Sequence, residues 1–144
     1  MIIVDANVLL YAYDRSDPHH AAASRWLEES VGGDGQVGLA LTTLLAFIRI
    51  STDPRVYEAP LDAAQAIDLV GSWLDRGNVQ LVGPTDVHWS TLAGLVAAGK
   101  ARGPVVMDAH LATLAIEHGA TLATVDRDFS RFPGLRTMDP TAGG

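Results

Sequence analysis

The chain begins Met1-Ile-Ile-Val-Asp5, a short β-branched run that stops at a carboxylate, and "LATVDRDF" (122–129) repeats the pattern near the other end. A short stretch that is apolar at every residue reads as a strand buried on both faces. Between the two lie segments with apolar residues at helical spacing, so short strands and helices alternate. That alternation predicts an α/β layered fold with a central, mainly parallel sheet, in which ligands bind at the carboxyl ends of the strands. Asp5 and Asp126 would both stand on that edge.

The expected elements follow from local signals. Ile2 to Val4 is a strand, and the segment after Asp5 is helical. Asp17-Pro18 predicts an N-cap and first helical residue opening "HHAAASRWLEES", closed by Gly32-Gly33. Val37 to Leu41 is a strand, and "TTLLAFIRIS" is a helix reaching Asp53-Pro54. Leu61 to Arg76 is a helix ended by Gly77, with Ala63, Ala66, Ile67, Val70, Trp73 and Leu74 at helical period. Val79 to Val82 is a strand; Asp86 to Ala101 and Val106 to His118 are helices, stopped by Gly103-Pro104 and Gly119. Thr121 to Val125 and Leu135 to Met138 complete the strands. No internal repeat is present, and 144 residues suit one domain, residues 1–140, followed by a flexible tail at 141–144.

Composition narrows the chemistry. There is no cysteine, so any metal must be held by oxygen or imidazole, and a cytoplasmic location is expected. No apolar run approaches the roughly 20 residues of a membrane span. Asp5 and Asn7 interrupt the apolar start and argue against a secretory signal. A net charge of -7 would ordinarily disfavour a nucleic-acid partner. Carboxylates gathered in one cleft would lower that total, however, while Arg49, Arg55, Lys100, Arg102, Arg127 and Arg131 line its rim.

Three acids stand out by position. Asp5 lies between two apolar runs, with no Lys or Arg nearby in sequence, where an unpartnered carboxylate is costly to bury. Asp126 ends a later strand. Asp108, in "VVMDAHLATLAIEHG", opens a helix and by itself reads first as a helix cap. Clustered carboxylates repel one another, and a hard cation such as Mg2+ or Mn2+ is the usual means of keeping several ionised together. Such a site supports phosphodiester cleavage. Asn7 and Thr124 are placed to orient a carboxylate. His19, His20, His88 and His118 read as structural; His110, two residues from Asp108, points to another part of its helix.

The ordered set "IIVDANVLLYA", "FIRISTDPRVY", "VVMDAHLATLAIEHGA" and "LATVDRDFSRFPGLR" resembles the PIN domain. More narrowly, it resembles the VapC toxins of type II VapBC toxin–antitoxin modules. The resemblance covers almost the whole chain. It implies a Rossmann-like three-layer PIN fold and a Mg2+- or Mn2+-dependent endoribonuclease cleaving structured RNA, tRNA or rRNA. It also implies a cognate VapB-like antitoxin, a homodimer, and DNA contact only through the antitoxin. Carried over by position, Asp5, Asp108 and Asp126 are the catalytic acids, and together with Asp128, the second acid of the closing motif, they are the metal ligands. Where many PIN domains carry glutamate in the second motif, this chain has Ala46 in "LLAFIRI". Asp128 is the nearest replacement, and Glu117 lies nine residues beyond Asp108, too far along the helix. Arg49 either pairs with a carboxylate or contacts phosphate.

Two alternatives remain open on the sequence. A catalytically weakened PIN protein would bind RNA or antitoxin in EDTA without metal-dependent turnover. A phosphatase on an α/β scaffold would normally carry a second acid two residues after its nucleophilic Asp, where this chain has Asn7.

Overall fold

The computed structural model describes residues 1–142, so Gly143 and Gly144 of the expected tail lie outside the described residues. Strand β1 (Ile2–Val4) is followed by α1 (Ala6–Tyr13), α2 (His20–Val31), β2 (Val37–Ala40), α3 (Leu41–Ser51) and α4 (Ala63–Leu74). Then come β3 (Val79–Val82), α5 (His88–Ala98), α6 (Val105–Glu117), β4 (Thr121–Ala123), a 3-10 helix (Arg127–Arg131) and β5 (Thr137–Met138). The sheet order is β3-β2-β1-β4-β5, and every strand pair is parallel.

β1 is central, with Ile3 opposite Gly38 of β2 and Leu122 of β4. Its successive residues feed opposite faces, as the strand period requires. Ile3 packs with Leu95 of α5 and the buried side of α6. Val4 packs with Val8, Leu9, Leu27, Leu44, Phe47 and Val70 of α1 to α4. β1, β2 and β4 are therefore covered on both sides, which is why they show no polar alternation, whereas the edge strand β3 leaves Gln80 and Leu81 exposed. Ile3, Val4 and Leu122 are fully buried.

Several boundaries differ from the sequence reading, each for a local reason. Asp17 does not cap α2: its Oδ1 accepts the His19 N–H at 2.7 Å, closing a turn, and α2 starts only at His20. α4 starts at Ala63 because Asp62 and Gln65 form a reciprocal capping box. α5 stops at Ala98, short of Ala101, and Lys100 adopts a positive φ of 51°. β2 passes into α3 with no intervening loop, so Leu41 is helical, not the end of a strand. After Thr124, whose N–H still donates to the Met138 carbonyl of β5 at 2.9 Å, the chain leaves the ladder and turns into the 3-10 helix, an element absent from the sequence-based expectation. At the C-terminal end, the N–H and hydroxyl of Thr141 both donate to Asp139 Oδ1, at 2.8 and 2.7 Å.

Candidate active site

Asp5 leaves β1 with its N–H donated to the Ala123 carbonyl of β4 at 2.9 Å. It holds the N-cap position of α1, yet its carboxylate makes no side-chain capping bond. Oδ2 instead accepts from the Thr124 hydroxyl at 2.8 Å. That hydroxyl oxygen also accepts the Asp126 N–H at 3.0 Å. One buried side chain thus ties together the ends of the two central strands. Asp126 opens the 3-10 helix, and its Oδ1 accepts the Asp128 N–H at 2.8 Å. Asp108 reaches the same place from the first turn of α6, and it makes no side-chain hydrogen bond among the described residues.

These three carboxylates line one cleft of about 420 Å³. Asn7, Ala46, Arg49, Leu45 and Met107 share its walls. Burial pushes the Asp5 carboxyl above its usual range, against the opposing hydrogen bonds from Thr124 and the Ala6 N–H; the nearby Asp126 charge adds to the rise. Asp108 is pushed up to about 6, first by burial and then by the charges of Asp5, Asp126 and Asp128, with Arg131 pulling the other way. Mutual influence of this kind is the signature of acids sharing one site.

Other positions singled out in the sequence fall as follows. Thr124 orients Asp5 through its hydroxyl. Asn7 is exposed in the cleft wall and makes no side-chain hydrogen bond among the described residues. Asp128 is not brought into the cleft: its carboxylate faces Arg131, whose Nε and Nη2 donate to Oδ1 at 3.2 and 2.9 Å. Ala46 opens on the cleft, and Arg49, one turn farther along α3, stands beside it without an ion-pair partner among the described residues. The wall that carries an acid in many PIN domains is therefore methyl and guanidinium here. Of the other rim cations, Arg55 is paired with Asp53 and Arg131 with Asp128, whereas Lys100, Arg102 and Arg127 are exposed.

Glu117 is far from the cleft, as its spacing implied, but it is buried and paired with His88. His88 is accordingly not on an exposed helix face: it bridges Glu117 and His110. Nothing local in the sequence signals this connection, since His88 and Glu117 are 29 residues apart.

The donor set fits a hard divalent cation. All three acids supply anionic oxygen, no lysine neutralises them in the cleft lining, and their mutual repulsion is relieved by a shared positive charge. Their side chains are not gathered onto one point, for no group of three or more acidic or imidazole side chains among the described residues stands at coordinating distance.

The PIN domain family matches residues 2–135. Ribonuclease VapC37 of Mycobacterium tuberculosis is 42% identical over 142 residues, spanning 99% of each chain. Ribonuclease VapC33 of the same species is 38% identical, spanning 97% of this chain and 98% of that one. Among solved structures, VapBC2 from Rickettsia felis, bound to a DNA fragment from its promoter, aligns with a TM-score of 0.70 at 17% identity, covering 96% of this chain and 98% of its own. Mycobacterium tuberculosis VapC20, a Sarcin-Ricin loop cleaving toxin, aligns at 0.64 and 19% identity, covering 94% and 99%. The two solved structures share the fold at low sequence identity.

Proposed function

Since this chain belongs to the VapC ribonucleases of the PIN-domain family, we propose that it is the toxin of a type II toxin–antitoxin module that cuts structured RNA, tRNA or rRNA, in its acidic cleft. The observation that carries this reading is the convergence of Asp5, Asp108 and Asp126, which are remote in sequence, on one cleft.

Mg2+, or Mn2+ in its place, would be held by Asp5, Asp108 and Asp126, and when bound it supplies an acidified water and offsets charge on a phosphoryl oxygen. The chain's own contribution is placement. Thr124 fixes one oxygen of Asp5, whose carboxylate lines the cleft. The 3-10 turn fixes Asp126. Arg49 on the opposite wall offers a guanidinium to an incoming RNA phosphate and aligns the backbone for in-line attack. Asp128 is assigned no direct metal contact in this conformation, since Arg131 holds it; with Ala46 in the second motif, the site works with three acids.

Leu45 and Met107 are each more than half exposed beside these acids. A partner segment offering apolar and basic side chains complements that rim, and the cognate antitoxin is assigned this role, with DNA contacted only through it. The functional unit is proposed to be a homodimer.

Purified protein incubated with tRNA and rRNA decides the matter. Cleavage is expected with Mg2+ or Mn2+ and not with EDTA, and Asp5→Asn, which keeps the shape and removes the charge, should abolish it. Cutting by Asp5→Asn at the wild-type rate would sink the assignment. RNA binding that survives EDTA with no turnover in either metal would establish the weakened-enzyme alternative, which the alanine at position 46 favours.

A further inference from the structure

The Glu117 side chain, at the last residue of α6, is only 1% exposed. Its Oε1 accepts the Thr85 N–H at 2.8 Å, and its Oε2 lies 2.9 Å from His88 Nδ1. His88 opens α5, and its Nε2 is 2.9 Å from Nδ1 of His110. The two imidazoles meet edge to face, centroids 4.9 Å apart. His110 and Glu117 are seven residues apart, two turns along one face of α6, so the ring of His88 ties two levels of that helix to α5. The His88 ring thus stands within hydrogen-bonding distance of the Glu117 carboxylate on one side and of the His110 ring on the other. A buried charge-bearing chain of this kind is a poor source of stability, because apolar side chains of similar volume would hold α5 on α6 without the cost of desolvation. What a polar chain adds is a fixed register.

Register matters at the other end of α6. The N-cap, Pro104, makes no side-chain capping bond. Val106 and Met107 in the first turn are 38% and 54% exposed. Of the three cleft acids, Asp5 is held by Thr124 and Asp126 by the Asp128 N–H, whereas Asp108 accepts no hydrogen bond among the described residues. Within α6 the Thr113 hydroxyl donates to the Ala109 carbonyl at 2.7 Å, and the nearest side-chain tie from another element is the one His88 makes to His110, two residues on.

We propose that His88, held by Glu117, is a positioning residue that sets Asp108 in the cleft through its hydrogen bond to His110. This rests on the cleft being a metal site.

Mn2+ binding to the full chain, read by the loss of the free-ion EPR signal, tests it. His110→Ala is expected to weaken Mn2+ binding about 10–100-fold, the usual effect of losing a group that orients a metal ligand. His110→Asn, which keeps a hydrogen-bonding group near the Nδ1 position, should bind close to wild type. Leu95→Ala, which loosens the same α5–α6 contact through apolar packing, should lower Tm while leaving Mn2+ affinity in place. Wild-type affinity in His110→Ala overturns the proposal, and so does an equal loss in Leu95→Ala. If the wild type binds no Mn2+, or binds it equally after Asp5→Asn, the metal-site reading fails and this inference falls with it. Binding that depends on Asp5 but not on His110 removes the positioning role alone. Should His110→Ala not fold, amide exchange in the wild type answers the question: an Ala109 N–H as slow as that of Ala112 supports the tie, and one that exchanges like a frayed end refutes it.

Discussion

Asp108 is the residue whose chemistry depends most on its surroundings. Its carboxyl is raised to about 6 from an ordinary 3.8. A folded-state value above the unfolded one means that the metal-free protein loses stability as pH rises between those two values, because the charge becomes harder to carry in the fold. Asp5 is displaced in the same direction. Metal binding needs the ionised acid, so apparent Mn2+ affinity should climb as pH passes through about 6 and level off above it. Asp108→Asn should therefore melt higher than the wild type at pH 7 without metal. The same variant should lose more cleavage activity than the about 10–100-fold typical of losing an orienting group. Thermal melts and RNA cleavage between pH 4 and 8 check both; a lower Tm for Asp108→Asn would contradict the assigned charge burden. Asp5 was legible in the sequence because it lies between two apolar runs where an unpartnered carboxylate is costly to bury, whereas Asp126, like any Asp at a strand end, reads first as a turn residue and gained weight only beside the other acids. Asp108 became legible only beside the other motifs, since a helix start explains it as well. Asp128, expected among the metal ligands, lies two residues past Asp126 in a 3-10 turn, where its side chain meets Arg131 and is not part of the cleft lining.

Among the elements, the signals that held were those contained within a few residues. Apolar stretches bounded by capping, glycine or proline signals located the helices, and short apolar runs located the strands. Boundaries slipped where a side chain made a bond that competes with the expected one, as Asp17 does with the His19 N–H. The reciprocal pair at Asp62 and Gln65 is a start signal that the reading of Leu61 to Arg76 passed over. It gives a direct test, since Asp62→Ala should cost about 1 kcal/mol of stability. For a chain of this size that is a fall of roughly 2–4 °C in Tm. Cleavage should be unaffected, because α4 contributes nothing to the cleft lining. A Tm unchanged by the substitution would mean that the capping box is not formed in solution. The α5–α6 pairing was invisible in sequence for the opposite reason: its polar contacts join His88 to residues 22 and 29 positions away.

For the molecule as a whole, alternation of strands and helices predicted a layered α/β fold. It did not predict the order β3-β2-β1-β4-β5, which depends on which strand each crossover returns to. A cation bound only by the folded chain should stabilise it by about 2.7 kcal/mol at a hundredfold excess over Kd. The corresponding rise in Tm is roughly 5–10 °C. Differential scanning fluorimetry with Mn2+ and then EDTA should show that rise and its reversal in the wild type and neither in Asp5→Asn. The position of β1 bears on how such a protein can be inactivated. Asp5 follows a strand paired on both edges and packed on both faces, so displacing it means melting the domain. Asp108 stands in a first turn near the surface that has no side-chain cap and whose N–H groups donate to the backbone carbonyls of Arg102, Gly103 and Pro104. A binding partner, an inhibitor or a point mutation that silences the cleft while leaving the protein folded therefore has one easy point of purchase, and it is the start of α6.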